Sequence, residues 1–162
     1  MKRISARVAA VLVGVCLTMV GAVAQMPNPY GLPIGVENAK KAAAPAIAEA
    51  VKNKWTVAVA IVDPSGVLVY YEKMDNTQVG SADIAIEKAR TAARFKRPTK
   101  ALQDALAAGG AGMRILGLKG VTPVEGGIPL VMDGKIVGAI GVSGMASDQD
   151  TVCAKAGADS VK

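Results

Sequence analysis

The chain has 162 residues, a formal charge of +6 and no histidine. The missing imidazole excludes a histidine-based catalytic triad, histidine-ligated zinc and histidine-ligated haem together. Aromatic residues are also scarce, at one Trp, three Tyr and one Phe; base-stacking surfaces need more, so no nucleic-acid partner is expected.

Lys2, Arg3 and Arg7 precede an apolar run from Val8 to Val23 in which only Thr18 is polar, and Ala22-Val23-Ala24 follows before Gln25. A basic start, an apolar middle and small residues at −3 and −1 are the parts of a cleavable secretory signal, here residues 1–24. The run falls short of the roughly 20 residues that span a bilayer. Val15 stands where lipoprotein processing before Cys16 needs a small side chain. Cleavage after Ala24 leaves 138 of the 162 residues, enough for one domain with a real core. Because three of the 19 basic residues leave with the signal, the charge falls to +3. The expected address is periplasmic or secreted, with no membrane association after cleavage. Cys153 is then the one remaining cysteine, expected to pack as a small apolar side chain.

Residues 25–35 hold three prolines and two glycines and read as an extended lead-in. From Val36 to Lys52 the apolar positions 36, 39, 43, 47 and 51 recur at helical spacing, and Pro45 is expected to kink or split that helix. Thr56–Val62 and Val67–Glu72 read as strands of a hairpin turned by Asp63-Pro64-Ser65-Gly66. Ser81 is the expected cap of a helix that Pro98 stops, and Thr99 the cap of another that Gly109-Gly110 ends. Residues 113–123 are less regular. Ile128–Met132 and Lys135–Val142 are strands joined by Asp133-Gly134, a strong two-residue hairpin signal. Ser147, with Asp150 three residues on, resembles the cap of a final helix. The order predicts an α+β domain over residues 36–162, with an antiparallel sheet of about five strands and helices packed on it, of the profilin- or PAS-like sort. A ligand would lie on its concave face or in a helix–sheet gap.

Candidate chemistry is sparse. Gly134, Gly138, Gly141 and Gly144 lie along a strand rather than between a strand and a helix, so they do not make a phosphate cradle and mark close packing or contact with a ligand. Glu125, before Gly126-Gly127, leaves a carboxylate in a loop, either as a surface acid or facing a ligand's polar edge. Lys88 sits on the small apolar side of its helix, where it pairs with a carboxylate such as Asp63, reaches water, or holds an anionic group. Arg90, Arg94, Lys96 and Arg97 crowd the end of the same helix, complementing its dipole. Tyr70, Tyr71 and Met74 serve packing or contact a haem iron. No metal-ligand spacing occurs, and Ser143 lacks a histidine to activate it.

Two segments together carry a family resemblance. One is residues 59–102, with Val62-Asp63-Pro64-Ser65-Gly66, Lys73-Met74-Asp75, Glu87-Lys88-Ala89-Arg90-Thr91-Ala92, Phe95 and Pro98-Thr99. The other is residues 126–161, with Gly126-Gly127-Ile128-Pro129, Ile136–Gly144 and Asp148–Ala158. In this order they resemble the GlcG/HbpS-like family, which includes the C-terminal domain of PduO-type proteins. The resemblance implies a sheet-and-helix domain that assembles into homo-oligomers, and a small-molecule ligand, with haem the leading cofactor. With no histidine, haem would be held by Met, Tyr or Thr, or by apolar contacts and its propionates. The pocket implied lies between the Ser81–Arg97 helix and the sheet, with Lys88 or Arg94 answering propionates and Tyr71 or Met74 approaching the metal. Two alternatives stand beside it: an enzyme acting on a small carboxylate or aromatic catabolite through Lys88 or Glu125, and an oligomeric sensory or structural partner.

Overall fold

The structure, a computed structural model, describes residues 27–161. The signal segment, residues 1–24, lies outside the described residues. Four α-helices, one 3-10 segment and four strands follow in the order α1 (Val36–Lys52), β1 (Ala58–Val62), β2 (Leu68–Lys73), α2 (Ser81–Phe95), α3 (Thr99–Ala107), the 3-10 segment Gly110–Gly117, β3 (Gly127–Met132), β4 (Lys135–Ser143) and α4 (Ser147–Asp159). No helix among the described residues is long and apolar enough to cross a membrane.

The strands form one antiparallel sheet in the order β2-β1-β4-β3. That is four strands where about five were expected. The lead-in accounts for part of the difference. Beyond the end of β1 it runs beside β4, where Gly31 N–H donates to Ile136 O, Ile136 N–H to Pro29 O and Ile34 N–H to Val137 O. It forms an isolated bridge at Tyr30 and Ile136 rather than a strand. The β3–β4 hairpin turns on Asp133 (φ 49°) and Gly134 (φ 70°), both left-handed, as a type I′ turn requires.

Alternation along the strands divides the sheet into two faces. Val59, Ile61, Ile140 and Val142 face α1 and α4, whose Ala39, Ala42, Ala43, Ala46, Cys153 and Ala154 complete that core. Ala58, Ala60, Val62 and Ala139 face α2 through Ala85, Ala89 and Ala92. On this second face nearly every contact is between small residues, so backbones approach closely. A Cβ on Gly141 would collide with the carbonyl oxygen of Ala85, and one on Gly127 with that of Lys88. The strand glycines serve close packing.

Helix boundaries depart from expectation for one shared reason: hydroxyls and carboxylates read as caps are used for long-range contacts. Gly80, not Ser81, precedes α2, and the Ser81 hydroxyl is buried, accepting from Gln78 Nε2 (2.9 Å) and lying 3.3 Å from the Ser143 hydroxyl. Pro98 precedes α3, while Thr99 Oγ1 accepts the Gly127 N–H (2.9 Å) and so ties α3 to the start of β3. Ala146 precedes α4; its N–H is met by Gln149 Oε1 (3.2 Å), and Asp150 turns inward. Pro45 does not split α1, which runs as one helix from Val36 to Lys52. The carbonyl of Lys41, which a non-proline residue 45 would serve, lies 3.2 Å from the Ser160 hydroxyl beyond α4.

Candidate functional site

Lys88 is the largest fully buried side chain, at 1% exposure. Its ammonium donates to Asp150 Oδ2 (2.8 Å) and to Val142 O (3.0 Å), and the other carboxylate oxygen, Oδ1, accepts the Met145 N–H (3.0 Å). The partner is therefore Asp150 on α4 and not Asp63. Burial pushes the Asp150 carboxyl above its ordinary value, against the opposing pull of Lys88 and of the Met145 and Gly144 N–H groups. The pair joins α2, the C-terminal end of β4 and α4, beside Gly126, where a Cβ would meet both members. With its donors directed at Asp150 and Val142, Lys88 is turned away from any propionate.

The other expected site residues are spread over the molecule. Tyr71 packs on the α2 face; its hydroxyl is buried with no hydrogen-bond partner among the described residues, and burial together with the Asp83 charge raises its pKa. Met74 packs against the opposite core, with α1 and α4. Arg94 is exposed and donates to Ser65 O (3.0 Å), while Arg90 donates to Gly66 O (3.1 Å); these arginines clasp the β1–β2 turn. Glu125 is more buried than a loop acid should be, at 9% exposure, with Lys100 Nζ 4.0 Å from its carboxylate. Tyr71, Met74, Lys88 and Arg94 do not converge on one cavity. The helix–sheet gap expected to hold a ligand is filled, because α2 lies directly on Gly141 and Gly127.

Open space lies elsewhere. An open cleft of about 330 Å³ is formed by the lead-in (Gly31–Gly35), Asn38 at the start of α1, and the β3–β4 hairpin through Met132, Asp133, Lys135 and Val137. A second cavity of about 180 Å³ shares Asn38 and Met132 with the first and continues to Lys41, Ser160 and Val161. Together they make one groove with an apolar floor (Ile34, Met132, Val137), an exposed Leu32 on its wall and a lysine toward each end. Neither Lys41 nor Lys135 forms an ion pair among the described residues. Sequence reasoning missed this site. Its residues come from three separate segments, and Met132 and Lys135 read there simply as hairpin residues flanking a turn.

The family described as haem degrading protein HbpS-like matches residues 34–159, nearly the whole described fold. The chain belongs to the HbpS-like family. Protein GlcG of Escherichia coli strain K12 is 43% identical over 95 residues, covering 59% of this chain and 69% of GlcG. Among solved structures, a double mutant of Streptomyces reticuli HbpS superposes with a TM-score of 0.75 at 31% identity, covering 99% of both chains. A PduOC:haem complex superposes with a TM-score of 0.72 at 25% identity, covering 81% of this chain and 96% of the other.

A tetrapyrrole asks for apolar surface along its ring, cations for its carboxylates and, where iron is present, a donor atom for the metal. The interior under α2 has no room for a ring. The groove offers apolar side chains and two lysines, but its two cavities, about 330 and 180 Å³, are each smaller than a tetrapyrrole.

Proposed function

We propose that this protein is an exported binding protein, periplasmic or secreted, that takes haem or a related tetrapyrrole by a mode that uses no histidine. The observation that carries this reading is the haem-bound PduOC relative, which shares the fold over 81% of the chain. The family match over residues 34–159 and the complete absence of histidine give it its particular form. Export rests on the basic, apolar and small-residue pattern of residues 1–24, and assembly into homo-oligomers on the family resemblance.

Bound haem would supply its iron chemistry to whatever process it serves. This chain's part is to shelter an apolar ring, neutralise carboxylates and leave the metal without imidazole. Met, Tyr or Thr side chains would hold the group in place of imidazole, and such weaker donors would suit a scavenger or carrier. Haemin titration of the mature chain, followed at the Soret band, tests the reading directly. Saturable binding at micromolar haemin is expected, and a flat titration overturns it. Intact-mass measurement of protein recovered from the producing cell checks export, with a chain beginning at Gln25 as the expected result.

The enzymatic alternative through Lys88 is disfavoured by burial, since the ammonium is engaged by Asp150 and Val142 O. Glu125 remains its available acid.

A further inference from the structure

We infer that the cleft between the lead-in, α1 and the β3–β4 hairpin binds a small zwitterion with an apolar body, in kind an apolar α-amino acid. Its volume of about 330 Å³ suits a molecule of that size, and such binding is independent of the tetrapyrrole reading above. The charges decide the class of ligand. Asp133 and Lys135 are the two charged residues that line the cleft, one on each side of Gly134. Both are exposed, and neither forms an ion pair among the described residues. The left-handed turn at Asp133 (φ 49°) and Gly134 (φ 70°) fixes where they leave the hairpin. The Lys135 stem is seated against Gly31 of the lead-in, where an added Cβ would come within 2.9 Å of it. One cation and one anion sum to zero. A ligand carrying both an ammonium and a carboxylate answers each charge, whereas a plain carboxylate is repelled by Asp133 and a plain amine by Lys135.

The rest of the lining supplies what such a molecule also needs. Asn38, half-buried at the start of α1, has a carboxamide with no hydrogen-bond partner among the described residues. It therefore offers both a donor and an acceptor to the charged end of a ligand. Ile34, Met132 and Val137 make an apolar floor, and Leu32 stands 86% exposed beside it. An aliphatic or aromatic side chain laid on that floor is covered by Leu32, and both surfaces leave water. Exposed charge pairs are individually weak, so recognition here depends on the two charges and the apolar floor acting together.

The test follows backbone amide resonances of the isotope-labelled mature chain during titration with L-leucine, alongside two probes that each lack one of its charges, isocaproate and isoamylamine. L-Leucine is expected to shift Gly31, Leu32, Asn38 and Gly134 saturably below about 10 mM, and to bind about fivefold more tightly than either probe. Lys135→Gln is expected to weaken L-leucine about fivefold and to leave isoamylamine no weaker, because that probe has no carboxylate. Asp133→Asn keeps a residue suited to the left-handed turn. It is expected to weaken L-leucine to the same degree and to leave isocaproate no weaker. Lys41→Gln, in the neighbouring cavity, is expected to change none of these affinities. All three positions are exposed, so the variants keep the core intact. Equal affinity for L-leucine and isocaproate overturns the zwitterion assignment, as does an unchanged L-leucine affinity in both hairpin variants. The absence of any saturable shift in the cleft by about 10 mM overturns the site itself. Haemin binding is read separately at the Soret band, so the two readings fail independently.

Discussion

On one face of the sheet α2 meets Ala58, Ala60 and Ala139 through Ala85, Ala89 and Ala92, with Gly141 lying directly under the helix. On the other face α1 and α4 meet Val59, Ile61, Leu130, Ile140 and Val142, with Ile47, Trp55, Met74 and Met132 packed around the margin. The first arrangement brings backbones together and leaves no space for a guest. The second uses larger and more irregular side chains, and where it thins at the rim, beside Met132 and Asn38, a groove opens. Close packing of small residues and open space at the surface are thus segregated on opposite sides of one sheet. The buried ion pair Lys88–Asp150 links the two sides, reaching from α2 to α4 past the end of β4.

The largest expected effect breaks the buried ion pair that links the two sides. Lys88→Met strands a carboxylate that is 1% exposed, and removing one member of a buried pair costs about 3–5 kcal/mol. Urea unfolding is expected to show a loss of this size, and pairing it with Asp150→Leu is expected to recover most of it, since both charges are then gone. A single variant within about 1 kcal/mol of wild type would show that the pair contributes little to this edge.

Next in size is the contrast between neighbours that face opposite ways. Gly141→Ala adds one methyl against the backbone of Ala85 and Ala89, which cannot rotate aside, and is expected to cost about 3 kcal/mol. Ile140→Val removes one methyl from the α1/α4 core and is expected to cost about 1 kcal/mol. Equal losses in paired denaturation curves would mean that the two faces do not differ in tolerance.

Sequence reasoning reached one side of this comparison better than the other. The hairpins were readable because turn chemistry is local: Asp133-Gly134 dictates left-handed φ at both positions, and the Asp63 carboxylate meets the Ser65 and Val67 N–H groups of its own turn. The small face was half-readable, since alanines and glycines at the right spacing announce close approach. Caps failed because Ser81, Thr99 and Asp150 look like local caps yet serve partners far along the chain, at Ser143, Gly127 and Lys88. The Lys88–Asp150 pair spans 62 residues, and no local pattern chooses Asp150 over Asp63. The groove is least readable of all. Gly31–Gly35, Asn38 and Met132–Val137 come together only when the lead-in lies beside β4.

The smallest expected effect concerns the buried thiol on the α1/α4 side. Cys153 is fully buried in that core, and burial, helped by the charges of Asp150 and Glu49, pushes its pKa up to about 11 from an ordinary 9.0. A raised acid pKa means that the unfolded chain releases this proton first as pH rises. Stability from the neutral thiol is therefore fully present below pH 9 and is lost as pH climbs from there toward about 11. Between pH 8 and pH 9.5 the expected loss is about 1 kcal/mol. Urea midpoints at both pH values for wild type and Cys153→Ala isolate it, because other titrating groups cancel in the difference. The variant is expected to lack this increment, whatever its own baseline stability. The same burial predicts that alkylating reagents label Cys153 only as fast as the α1/α4 layer opens. Fast labelling at pH 8 under native conditions would show that the side carrying the groove also opens readily beneath it.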